Sequence, residues 1–203
     1  QAALLRPNGL LRQQFAAMSQ SIGYNASRPL VAVHVRRGDK PTNLYNVYHP
    51  GAAYVREALR AADDLRLCGR GPARAGGRCQ LFVASDSASA LQEVREAVRL
   101  EGAAGAVEVI GLAGSASQRR SAAGVELGLR SHGAEAYAMA VEVLFDVEML
   151  SRAAVLVGTL ASQVARVAAS VGLAYGTLLR AVALDVGNVP ELLAVFGGLG
   201  IPE

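Results

Sequence analysis

The 203-residue chain has no tryptophan, only two cysteines and a single lysine, Lys40. Charge is scarce too: 18% of residues are charged against 52% hydrophobic, with a mean hydropathy of +0.27. That balance excludes a disordered or collagen-like chain. Long apolar runs are absent, since the uncharged stretch from Val167 to Leu179 is broken by Ser, Gly and Thr, and nothing reaches membrane-spanning length. The first residues have neither the basic nor the long apolar region of a signal peptide. There is no initiator Met, so the chain reads as a segment of a longer protein, with any anchor outside it. Twenty basic against seventeen acidic residues leave a net charge of +3. That excess is too slight for nucleic acid, although it favours a compact phosphate ligand.

Cys68 and Cys79 flank a Gly- and Arg-rich loop. Two cysteines are too few for a zinc site, which needs about four ligands. They read either as free thiols or as a disulfide stapling the loop. Asn25-Ala26-Ser27 is an N-glycosylation triplet, consistent with a secretory setting.

Common nucleotide loops are missing as well. No Gly-x-Gly-x-x-Gly follows the first apolar run, and no Walker-type Gly-Lys-Ser/Thr occurs. Neither a nucleophile elbow nor a His/carboxylate metal cluster is visible. Any bound phosphate must then be held by arginine and a helix start, without a metal or other cofactor.

What the chain does have is alternation. Residues 8–22 carry Leu11, Phe15, Met18 and Ile22 at helical spacing, and 29–35 form a β-branched apolar run that ends in charge. Helices are expected at 51–65, 87–99, 134–151 and 161–171, and strands at 80–84, 107–110 and 154–157. Residues 115–133, rich in Ser, Gly and Arg, read as a long loop, and only faint strand and helix signals follow 171. All-apolar strands alternating with amphipathic helices predict an α/β fold, a Rossmann-like doubly wound parallel sheet. No repeat or linker is evident, so residues 1–203 are expected to form one domain.

Ligands of such sheets sit at the carboxyl ends of the strands. Three strand ends here are polar: His34-Val-Arg36-Arg37-Gly-Asp39-Lys40, Ser85-Asp86-Ser87, and Gly158-Thr-Leu-Ala-Ser162-Gln163. Each has a plain reading when taken singly. The arginines suit a solvated rim, Asp86 and Ser162 suit helix starts, and His34 suits a satisfied core histidine. On one edge of one sheet, together, they favour a phosphorylated ligand. Arginine offers a planar fork to a diphosphate, and the helix start offers unpaired N–H groups.

The segment His34 to Lys40 resembles the His-Val-Arg-Arg-Thr-Asp-Lys motif of the α1,6-fucosyltransferases, which add core fucose to N-glycans, and of their nodulation relatives. Leu5-Arg-Pro precedes it as in that family, and Tyr48-His49-Pro50 and Tyr54 follow it. Phe82-Val-Ala-Ser-Asp86 is similar to the family's strand ending in Ala-Thr-Asp-Asp. The series from Val143-Leu-Phe-Asp146 through Ser162-Gln163-Val164 to Arg166-Val-Ala matches a third motif in order and spacing. Leu184-Asp185 and Phe196-Gly-Gly resemble the region after it.

The resemblance implies the nucleotide-binding half of a GT-B-like glycosyltransferase of the family 23 type, inverting and metal-independent. Its donor would be GDP-fucose and its acceptor a glycan or glycoprotein. No nucleic acid or membrane contact is expected of this segment, and the full-length enzyme would be a type II protein of the Golgi lumen. Carried over by motif, Arg36 would grip the β-phosphate and Arg37 would support the loop. His34 and Asp146 would meet guanine, Ser162 and Gln163 would donate to the diphosphate, and Asp86 and Tyr54 would line the cleft. The catalytic set implied is Arg36, Lys40 and Asp39. One departure concerns the acceptor. The family's activating glutamate lies just past the motif lysine, whereas here Lys40-Pro-Thr-Asn-Leu-Tyr has no carboxylate. Asp39, which does not have that role in the family, is the carboxylate left there as a candidate base. A nucleotide-binding pseudoenzyme and a protein O-fucosyltransferase-like enzyme are the competing readings.

Overall fold

The β-branched runs form strands and the amphipathic stretches form helices. The computed structural model describes residues 7–37, 48–69, 78–112 and 133–185. Asp39, Lys40, the Ser/Gly/Arg-rich stretch up to 132, and Phe196-Gly-Gly lie outside the described residues.

In chain order the elements are α1 (Gly9–Ser21), β1 (Leu30–Val35), α2 (Gly51–Asp64), β2 (Cys79–Ser85), α3 (Ala88–Leu100) and β3 (Val107–Ile110). After them come α4 (Ala134–Ser151), β4 (Val155–Gly158), α5 (Gln163–Tyr175) and β5 (Arg180–Ala183). The last strand rises from a faint signal because Arg180-Ala-Val-Ala is short and lies at the sheet edge. Helix α5 starts two residues later than its periodicity suggests, since Ser162 is its cap. It runs on to Tyr175, where Gly176 takes φ +69° and closes it. That left-handed conformation is open to glycine at little cost.

The five strands among the described residues are all parallel, in the order β3-β2-β1-β4-β5. Ala32 on the central strand lies opposite Phe82 on one side and Leu156 on the other. Alternate residues of β1 face opposite layers, as strand geometry requires. Val31, Val33 and Val35 pack with Tyr54, Val55 and Val94 beneath α2 and α3. Leu30 and Ala32 pack with Phe15, Phe145 and Met149 beneath α1 and α4. Phe145 is fully buried and meets Phe15 and Phe82 edge-on, with ring centroids 5.7 and 6.2 Å away. This is the doubly wound α/β architecture that the sequence predicts.

Two polar or covalent ties stiffen the amino-terminal edge of the sheet. Cys68 and Cys79 form a disulfide with their Cα atoms 5.3 Å apart, which decides between the two readings of the pair. A bond closing a loop this short stabilises a fold by about 2–4 kcal/mol. Gln80, buried within β2, donates to the Gly23 carbonyl (2.8 Å) and accepts from the Asn25 N–H (2.8 Å). Its amide is thereby satisfied inside the core. Among the described residues no helix is long and apolar enough to cross a membrane.

Candidate functional site

The order of the strands contains a topological switch point. From β1 the chain winds outward to β2 and β3, then crosses back to β4 on the other side of β1. The winding reverses between β1 and β4, and that switch point is where doubly wound sheets bind ligands. Arg36 leaves β1 there, and Thr159 to Ser162 leave β4 there.

The ends of β1 and β2 are stitched to one another. Ser85 donates its hydroxyl to the Val35 carbonyl (2.6 Å) and accepts from the Ser87 N–H (3.0 Å). Asp86, 8% exposed, accepts the Arg37 N–H at 2.7 Å and stands 3.8 Å from the Arg36 guanidinium. Asp86 therefore joins the two arginines. The start of α3 falls to Ser87 instead.

The two arginines differ in their surroundings. The Arg37 guanidinium donates twice to Glu93 of α3, at 2.9 and 2.8 Å, and once to the His49 carbonyl at 2.8 Å. It also lies 4.4 Å from the centre of the Tyr48 ring. Partial burial would push Glu93 up, but hydrogen bonds from Arg37 and Gly51 and the Arg37 charge outweigh it. They hold Glu93 below the ordinary carboxylate range. Arg36 is the more exposed of the pair, its side chain 28% accessible against 12% for Arg37.

Beside them Tyr54, on the first turn of α2, is 1% exposed. Burial pushes its hydroxyl up to about 12, against the opposing pull of the Arg37 charge and of the Arg36 backbone. Asp185 and Asp86 push in the same direction as burial, so both carboxylates lie within electrostatic reach of the phenol.

On the β4 side, Gly158 lets the start of α5 pack close, since a Cβ there would lie 3.1 Å from Ala165 and 3.7 Å from His34. Ser162 caps α5, its hydroxyl accepting from the Ala165 N–H. Helix geometry leaves the Gln163 and Val164 N–H groups without intrahelical acceptors. Asp185, just past β5, accepts the Leu160 and Ala161 N–H groups at 2.9 and 3.1 Å, one on each oxygen. This carboxylate sets the shape of the turn between β4 and α5.

Residues 2–175 match the family model for alpha-(1,6)-fucosyltransferase N- and catalytic domains. The chain belongs to this fucosyltransferase family. Among solved structures it is similar to NodZ alpha-1,6-fucosyltransferase soaked with GDP-fucose, at 14% identity and a TM-score of 0.48. That match covers 89% of this chain and 46% of the other. It is also similar to fucosyltransferase NodZ from Bradyrhizobium, at 16% identity and a TM-score of 0.43, with 88% and 45% covered. The chain thus spans less than half the length of these structures. No curated protein matches it.

In this member of the family Arg36, Arg37, Tyr54 and Asp86 come together at the β1 and β2 ends. Ser162 and Gln163 stand at the start of α5, just past the turn that Asp185 holds. His34, 5% exposed, continues the Leu30 and Ala32 face of β1 and so looks toward α4, which carries the equally buried Asp146. These two therefore belong to the opposite layer from Tyr54. Asp39 and Lys40 lie outside the described residues. The sequence alone assigns no role to Glu93 or Asp185. Asp185 follows an apolar strand just as Asp86 does, which is a signal that could have found it. Glu93 lies between Leu91 and Val94 on an ordinary amphipathic helix, and nothing local marks it.

Proposed function

We propose that this chain is the donor-binding half of an inverting, metal-independent fucosyltransferase with a GT-B-like fold. It would move L-fucose from GDP-fucose to a glycan, by α1,6 linkage to the core GlcNAc of N-glycans. The observation that carries this reading is Arg36, an arginine with a partly accessible side chain just past β1, at the switch point between β1 and β4.

Fucosyl transfer releases GDP, so negative charge builds on the β-phosphate as the sugar becomes oxocarbenium-like. A preorganised guanidinium and helix N–H groups stabilise charge of that kind. Arg36 supplies the first, and Gln163 and Val164 the second. Ser162 is 1% exposed, so its part is to fix the helix start by capping it. Asp146 and His34 would read guanine, the carboxylate accepting from the base's N1–H and amino group. Lys40 and Asp39 would serve the reacting centre. The disulfide fits an oxidising compartment such as the Golgi lumen, reached through an anchor outside this segment.

Calorimetry tests the donor assignment. GDP should bind, while ADP and UDP should bind far more weakly. A buried polar group left unpaired by the wrong base costs about 1–3 kcal/mol, roughly 5–150-fold in affinity. Excess EDTA should leave GDP binding intact. Equal affinity for ADP and GDP, or abolition by EDTA with rescue by magnesium or manganese, refutes the reading. The sequence after Lys40, with no carboxylate before Tyr45, favours a second reading in which GDP binds and no transfer follows. An acceptor panel of N-glycans and folded proteins separates the pseudoenzyme, the glycan transferase and the protein O-fucosyltransferase-like activity.

A further inference from the structure

Glu93 lies on α3, outside the motifs that mark the donor site, yet it is the meeting point of three segments. Its two carboxylate oxygens both accept from Arg37 Nη2, at 2.9 and 2.8 Å. It also accepts the N–H of Gly51, the first residue of α2, at 2.5 Å, and a bond from the Tyr48 hydroxyl. Gly51 makes room for it: a Cβ there would lie 2.9 Å from the Glu93 Cγ. Both terminal nitrogens of Arg37 are therefore engaged, Nη2 by the Glu93 carboxylate and Nη1 by the His49 carbonyl at 2.8 Å. A guanidinium held in this way has less to offer a phosphate, because three of its five N–H groups already have protein acceptors.

Resting on the donor reading above, we propose that Glu93 is a positioning residue that divides the labour of the two arginines. It locks Arg37 to the start of α2, and so fixes the direction in which Arg36 leaves β1. The chain of contacts is short. Glu93 holds the Arg37 side chain, Asp86 holds the Arg37 N–H, and the peptide between them is the one that carries Arg36. The same grip sets α2, and with it Tyr54, whose hydroxyl meets the Arg36 backbone. Residues 38–47, which include Asp39 and Lys40 in sequence, join the two points that Glu93 ties. A charge stabiliser works only when it is aimed before the reaction begins. Loss of Glu93 should therefore be felt in turnover more than in ground-state binding.

Glu93→Gln tests this, since it keeps the shape and one acceptor oxygen while removing the charge; Glu93→Ala is the harsher companion. The full-length protein is assayed for fucosyl transfer and GDP affinity, and amide exchange is followed at Arg37 and Gly51. In Glu93→Gln, kcat should fall about 10–100-fold, as misplacement near 1 Å does. GDP affinity should change less than about threefold, because the loss falls on the transition state. The Arg37 and Gly51 amides should exchange faster than in the parent protein. Unchanged kcat with unchanged exchange overturns the proposal. Equal losses in affinity and kcat also overturn it, since general loosening of the cleft produces that pattern. If Glu93→Ala fails to fold, Glu93→Gln alone decides. A parent protein that binds no GDP refutes the donor reading instead, and the exchange of the two amides still judges the clamp.

Discussion

Replacing Arg36 separates a catalytic group from a surface charge. Asp86 stands 3.8 Å from its guanidinium, a loose pairing with the arginine side chain 28% exposed. Pairs of that kind contribute about 0–1 kcal/mol to folding. Arg36→Ala should therefore melt within about 4 °C of the parent protein, taking 1 kcal/mol as 2–4 °C for a chain of this size. Transfer should behave differently. Removing one preorganised donor from a developing oxyanion costs about 100–1,000-fold in kcat, or roughly 2.7–4 kcal/mol. Arg36 brings a full charge and two N–H groups, so Arg36→Ala should fall at least to that range. Arg36→Lys keeps the charge but loses the planar fork, and should also be strongly impaired. GDP affinity should drop by less than kcat, since the interaction strengthens as the sugar–phosphate bond breaks. The assay is steady-state transfer from GDP-fucose, with calorimetric GDP affinity and a melting curve on the same preparations. A folded Arg36→Ala protein with undiminished transfer would show that the residue is part of a solvated rim. It would remove the basis of the donor site.

Three further expectations follow from single contacts. Asp185→Ala leaves the Leu160 and Ala161 N–H groups without their acceptor, at a cost of about 1–3 kcal/mol; an unchanged melting temperature would show that the turn between β4 and α5 holds itself. Tyr54 should stay protonated well past pH 10, because burial first of all lifts its folded-state value from 10.0 to about 12. The folded state then holds that proton more tightly than the unfolded state, so the stability gained is present below pH 10. It is lost as pH rises from about 10 through about 12, and Tyr54→Phe should flatten this alkaline decline. A Tyr54→Phe protein with the same alkaline slope as its parent would place the titration elsewhere. Gly172→Ala puts a Cβ 2.8 Å from the Ser151 carbonyl oxygen and 3.0 Å from Leu178. Neither neighbour is a pliable side-chain tip, so overpacking should cost about 1–3 kcal/mol in urea unfolding.

The sheet was readable because its strands carry their own signature. A run such as Leu30 to Val35, buried at every position, admits a covered parallel sheet and little else. The strand ends were readable for a related reason: polar residues directly after such a run must emerge at the sheet's carboxyl edge, so Arg36, Asp86 and Ser162 could be placed there before any coordinates. What the residues alone do not show is how they share the work, a division that only the resemblance implies. Nothing in Arg36-Arg37 says which guanidinium is held inside. That is decided by Glu93, 56 residues away from Arg37 along the chain, through a hydrogen bond that only the packing of α3 beside α2 creates. Layer assignment failed to show for the same reason. His34 and Tyr54 both border the site, yet strand alternation sends His34 toward α4 while Tyr54 packs under α2. Local pattern thus reports which edge a residue reaches. Partners distant in sequence determine how closely its side chain is enclosed on arrival, and here they leave Arg36 the more accessible of the two arginines, 28% against 12%.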